Sequence, residues 1–115
     1  LTNLDTDASA QAAQTADEQL LRLSTVHQAK GLEWKAVFVL FVNEEMFPSK
    51  KTVEEQGDSE ERRLFYVALT RAEDHLYLCA PMVRRQRDGG IIFLDPSRFI
   101  EEIPDALLEE EKGFF

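Results

Sequence analysis

An arginine set where a helix hands over to a strand can hold its guanidinium at the edge of a sheet, and Arg71 has that place in this sequence. Upstream, Thr25-Val26-His27-Gln28-Ala29-Lys30-Gly31-Leu32-Glu33-Trp34 gathers a hydroxyl, an imidazole, an ammonium, a glycine and a carboxylate into one short stretch. Hydroxyl, imidazole and ammonium groups contact phosphates, and a carboxylate accepts hydrogen bonds from hydroxyls. Each residue also has a plainer reading. Arg71 suits a helix C-terminus through the helix dipole, or pairs with Glu73 or Asp74. Glu33 pairs with Lys35 or Lys30, and His27 packs or caps after a strand. Trp34 could stack on a base, but at this position it reads, like Phe38, as a core residue.

The elements that must position these groups follow from periodicity. Asp58 and Glu61 have the spacing of a capping box, so a helix is expected to begin there. Glu61, Leu64, Phe65, Ala68 and Ala72 recur at helical spacing with Val67 and Leu69 beside them, which leaves Glu60, Arg62 and Arg63 largely off the apolar stripe. Arg71 falls in the last turn. From His75 to Ala80 the period is two, the pattern of a buried strand, and Pro81 stops it. Leu20-Leu21-Arg22-Leu23-Ser24 reads as a short strand, and Gly31 as a turn residue supplying a backbone angle that others resist. Ala36 to Val42 is an unbroken apolar run of strand length, which predicts a strand covered on both faces and hence layers above and below a parallel sheet.

The remaining stretches read as connections. Residues 1–18 are a loop or loose helix, and Lys50 to Gly57 a mobile polar loop. Arg84, Arg85 and Arg87 precede the turn Asp88-Gly89-Gly90 and then Ile91 to Leu94; they fit a phosphate-tracking patch, or more simply a solvated hairpin. Asp95 is expected to cap a short helix with Pro96 in its first turn, and the acidic residues 105–115 form a tail.

With 115 residues and 43% hydrophobic content the chain can bury one modest core. The net charge of −9 argues against a freestanding basic nucleic-acid binder, although the acidity gathers at the two ends and before Arg71, leaving mildly basic blocks between. One cysteine, Cys79, permits no internal disulfide and no cysteine metal cluster; it fits a reducing, cytoplasmic setting. The first residues do not read as a signal peptide, and no apolar run approaches the ~20 residues of a membrane span. The first residues, LTNLDTD, read as the start of an excised or processed piece.

Two of these stretches carry a family resemblance. EERRLFYVALTRA strongly resembles motif VI, and LSTVHQAKGLEWKAVFV resembles motif V, of the UvrD/Rep/PcrA-like branch of superfamily 1 DNA helicases; the two occur in the family's order and separation. Asn43-Glu44-Glu45-Met46-Phe47-Pro48 resembles the segment after motif V, with Glu45 where the family usually has glycine, and PSRFI resembles the close of the second core domain. The resemblance implies an α/β, RecA-like (P-loop NTPase-type) partial domain over residues 20–104, with a mainly parallel sheet flanked by helices. It implies that Arg71 reaches the γ-phosphate of ATP in a cleft shared with a first RecA-like domain. Glu33, with Gly31 in the same motif, would contact the ribose. Thr25, His27 and Lys30 would face single-stranded DNA. No GxxxxGK[ST] loop occurs and no DExx segment follows an apolar strand, so phosphate and Mg²⁺ ligands must come from elsewhere in a longer 3′-to-5′ helicase. A catalytically silent, helicase-like module for protein interaction is the alternative.

Overall fold

The computed structural model describes residues 21–111. Its element order is β1 (Trp34–Val39), α1 (Lys50–Gln56), α2 (Ser59–Leu69), β2 (Ala72–Leu78), β3 (Val83–Arg85), β4 (Ile91–Phe93), α3 (Arg98–Glu101) and a 3₁₀ turn at Asp105–Leu107. β1 and β2 pair in parallel, joined by the crossover that carries α1 and α2, and β3 and β4 form a separate antiparallel hairpin. In the parallel ladder Trp34 pairs with Ala72 and Ala36 with His75, so Lys35 alone stands opposite Glu73 and Asp74. Its ammonium lies 3.6 Å from Glu73 and 3.7 Å from Asp74. Both carboxylates that the sequence offered to Arg71 are therefore taken up across this bulge.

The core is small and aromatic. Val39, Val42, Phe65, Ala68 and Phe99 are buried together, with Val26, Val37, Phe47, Leu69, Leu78 and Ile100 against them. Phe47 meets Phe65 and Phe99 edge-on, each at 5.8 Å between centroids, the arrangement the ring quadrupoles favour. α2 supplies Phe65 and Ala68 from the predicted stripe, but Ala72 has already entered β2. Fully buried Asn43 ties the loop after β1 to two distant segments, donating to the carbonyls of Pro81 (2.9 Å) and Asp95 (3.1 Å). Ser97, also buried, donates to the Phe47 carbonyl and accepts from the Phe99 N–H.

Several sequence expectations are corrected. Asp58 makes no side-chain cap at α2, and Glu61 instead accepts from the Ser49 N–H and hydroxyl, so there is no capping box. The supposed mobile loop is helix α1, started by the Ser49 hydroxyl accepting from the Thr52 N–H and closed by Gly57 at φ 82°. Serine before and glycine after a short polar run were the signal for it. α3 is capped by Ser97 and not by Asp95, whose carbonyl serves Asn43 and Glu44. Residues 21–24 form no strand, and β2 starts at Ala72, ahead of His75. β1 ends at Val39, and the 36–42 run is not covered on both faces: Phe38, expected in the core, is 58% exposed and stacks on exposed Tyr77. β2 is likewise mostly exposed, and Cys79, just beyond it, is only partly buried, enough to push its thiol pKa up. Glu45 does adopt φ 70°, the left-handed region that favours glycine. The arginine run forms a solvated hairpin turned at Gly89. Expectations for residues 1–20 and 112–115 lie outside the described residues.

Arg62, read as lying largely off the apolar stripe, is engaged by both the core and the surface. It lies over the Phe99 ring at 5.4 Å and pairs with Asp58 (3.0 Å) and Glu102 (2.7 Å). Arg98 pairs with Glu44 (2.7 Å) and Asp58 (3.1 Å), so one ionic chain joins the loop after β1, the start of α2 and α3. Hydrogen bonds from Arg98, above all other causes, hold the carboxyls of Glu44 and Asp58 below their ordinary values of 4.5 and 3.8. A carboxylate whose pKa is depressed by folding contributes stability above its unfolded pKa and loses it as the pH falls through the folded value. The melting temperature is therefore expected to fall on acidification below about pH 4.5, and Arg98→Ala to flatten that slope. An unchanged slope in the variant would show that the chain of charges does not link folding to pH.

Candidate nucleotide and DNA interface

Arg71 comes directly after α2: Leu69 is the last helical residue, Thr70 the C-cap, and Ala72 the first residue of β2. The sequence placed it in the last helical turn before a strand; the structure puts it one residue past the C-cap, in the link between helix and strand. Among the described residues no carboxylate lies within ion-pair distance of its guanidinium. Its Nε is buried with no partner, and its Nη2 donates to the Thr70 hydroxyl at 3.1 Å. A guanidinium has five N–H donors, so most of this one's capacity is unspent.

The parallel ladder sets Glu33 beside it. The Trp34 N–H donates to the Arg71 carbonyl at 2.8 Å, and Trp34 pairs with Ala72, so Glu33 and Arg71 both immediately precede paired residues at the same end of the sheet. Glu33 is exposed, and neither Lys30 nor Lys35 pairs with it; Lys35 is engaged with Glu73 and Asp74 instead. Trp34 is partly buried, as a packing residue would be.

The turn leading into β1 is held by its own backbone. The Ala29 N–H donates to the Thr25 carbonyl (3.1 Å), the Leu32 N–H to the Ala29 carbonyl (2.9 Å), and the Thr25 hydroxyl accepts from the Gln28 N–H (3.1 Å). Ala29 is the buried anchor, and Gly31 at φ 82° lets the chain turn into β1, as its position predicts. His27 and Lys30 are exposed on this turn. Thr25 thus realises the local role that a hydroxyl has at a turn, while His27 and Lys30 point no donor at a protein acceptor among the described residues.

The structure therefore brings Arg71, Glu33 and the Thr25–Gly31 turn to one end of the β1–β2 pair. Sequence reasoning passed over Thr70. Its signal is a hydroxyl residue in the last helical turn, where threonine bonds back to the carbonyl three residues earlier, here Val67 at 2.8 Å. A shallow hollow of about 470 Å³ along α2 is lined by Ser59, Arg62, Arg63, Tyr66, Val67 and Thr70. Among the described residues no group of three His, Cys, Asp or Glu side chains is placed to hold a metal, and no helix is long and apolar enough to cross a membrane.

A family model described as the UvrD-like helicase C-terminal domain matches residues 1–81. The chain is 42% identical over 116 residues to the ATP-dependent DNA helicase PcrA of Staphylococcus aureus (strain MRSA252), covering 98% of this chain and 16% of that protein. It is 39% identical over 95 residues to the ATP-dependent DNA helicase Rep of Buchnera aphidicola, covering 83% and 15% respectively. It is 44% identical over 94 residues to DNA helicase II of Escherichia coli (strain K12), covering 81% and 13%. The chain thus spans about a sixth or less of the length of these curated relatives.

Proposed function

The chain belongs to the family of UvrD-like helicase C-terminal domains, and on that premise we propose that it is one wall of an ATP site in a longer ATP-dependent DNA helicase. Residues 20–104 are the C-terminal part of a second RecA-like core domain, residues 1–19 lead into it, and 105–115 are an acidic tail. The observation that carries this reading is that an unspent guanidinium and an unspent carboxylate both stand at one end of the parallel strands.

In this reading Arg71 donates to the γ-phosphoryl oxygens of ATP as negative charge develops on them, the role of an arginine finger. Glu33 accepts from a ribose hydroxyl, and Gly31 gives the turn the shape that sets Glu33 at the mouth. A preformed donor and acceptor lose little freedom on binding, which favours positioning over mere attraction. Mg²⁺ would neutralise phosphate charge in such a site, and with no GxxxxGK[ST] loop in this stretch its ligands and the phosphate loop are assigned to the first RecA-like domain. Thr25, His27 and Lys30 lie on the single-stranded DNA track, where they contact phosphates and fix register without reading sequence. Closure on ATP and opening after hydrolysis move the two domains along one strand, 3′ to 5′.

The experiment is ATP hydrolysis by the longer protein with and without single-stranded DNA. DNA is expected to stimulate turnover. Turnover indifferent to DNA would remove the Thr25–Lys30 turn from a DNA track coupled to the nucleotide site.

A further inference from the structure

Thr70 stands between the last turn of α2 and the free end of Arg71, and its hydroxyl is bonded on both sides. As donor it gives its one hydrogen to the Val67 carbonyl at 2.8 Å. As acceptor it takes an N–H from Arg71 Nη2 at 3.1 Å. A hydroxyl has one hydrogen and two lone pairs, so with the hydrogen committed to Val67 only lone pairs face the guanidinium. The direction of the second bond is fixed by the first. Threonine is also β-branched and stiff about χ1, and the bond back to the carbonyl three residues earlier selects its rotamer. Meanwhile Arg71 Nε is enclosed by this chain and has no partner among the described residues. The Nε edge is closed to a ligand, and the Thr70 hydroxyl is the protein acceptor that the guanidinium has among the described residues.

We infer that Thr70 is a positioning residue for Arg71: its oriented hydroxyl holds Nη2 so that the guanidinium meets the phosphoryl oxygens with its η nitrogens and not with its Nε edge. The inference rests on the reading of Arg71 as the arginine finger. Free about its side-chain torsions, an arginine would have to be ordered as the transition state forms; held by Thr70, it is ordered beforehand.

The test uses the longer protein that contains this stretch, with kcat and KM for ATP measured on saturating single-stranded DNA. Thr70→Val keeps the branched shape and removes the hydroxyl. It is expected to lower kcat by roughly ten- to a hundredfold, by analogy with the loss of a group that orients a metal ligand, with KM little changed. Thr70→Ser keeps the hydroxyl and is expected to restore most of kcat, and Thr70→Ala to behave like the valine variant. In an Arg71→Ala background Thr70→Val should add no further loss, because the residue through which it acts is gone. Normal turnover in Thr70→Val beside a large loss in Arg71→Ala would overturn the inference and leave the finger standing. Losses that multiply in the double variant would also overturn it, by showing that Thr70 acts elsewhere. Near-normal turnover in Arg71→Ala would instead remove the finger itself. A melting curve of each variant separates lost positioning from lost folding, and the serine variant decides the matter if valine or alanine unfolds the protein.

Discussion

Replacing Arg71 by alanine in the longer protein is expected to reduce DNA-stimulated ATP turnover by ~10³ or more, the contribution of such a finger, while nucleotide binding stays close to normal. The split follows from where the charge is needed. Ground-state ATP can be held by a phosphate loop and Mg²⁺ elsewhere, whereas in the proposed role the guanidinium acts on charge that grows on the γ-phosphoryl oxygens. The structure makes Arg71 suited to that task because both nearby carboxylates, Glu73 and Asp74, face Lys35 across the strand bulge. An arginine already paired would have to break an ion pair first. Arg71→Lys should not rescue turnover, since an ammonium lacks the planar donor fork. Steady-state turnover together with the affinity for a non-hydrolysable nucleotide measures both halves of the split, and equal losses of affinity and turnover would make Arg71 a binding residue only.

The second large effect is on folding. Phe65→Ala is expected to lower unfolding free energy by about 3–5 kcal/mol, the usual loss for a buried aromatic ring whose site cannot collapse. Phe65 is fully buried and touches Phe47, Tyr66 and Phe99 at centroid distances of 5.8, 5.4 and 5.3 Å. These contacts join α2 to the loop after β1 and to α3, so the cavity would sit where three segments meet. Phe38→Ala, by contrast, removes an exposed ring stacked on Tyr77 at 4.5 Å and should lose only about 0.5–1.5 kcal/mol. Denaturant midpoints of the two variants measure the difference. Equal losses would mean that the β1–β2 face is as well covered as the core.

That contrast also marks how far the sequence could be read. The helix over 59–69, the parallel strand pair and the hairpin at 83–93 were legible because an apolar stripe at helical spacing, an apolar run and a glycine turn are local signals. The place of Arg71 was legible for the same reason. The Ala36–Val42 run was read as covered on both faces, since seven apolar residues in a row say that a strand is greasy but not what lies against each side. One side meets α2 and the aromatic core; the other carries exposed Phe38 and Tyr77. Asp58 was misread because a carboxylate at a helix start serves a cap or an arginine equally well, and two arginines, Arg62 and Arg98, outbid the backbone N–H. Arg98 is distant in sequence, so no local pattern reveals it. The same limit applies to Lys35, whose claim on Glu73 and Asp74 depends on strand register, and to Thr70, whose role emerges only from two hydrogen bonds with fixed directions.

The most direct test of a half-site is to assay the half alone. ATP hydrolysis by the 115-residue chain, without and then with single-stranded DNA, should be absent under conditions in which the longer protein shows DNA-stimulated turnover. Hydrolysis by the isolated chain would contradict the account, because it would place the phosphate-holding groups within this stretch and not across the cleft from Arg71.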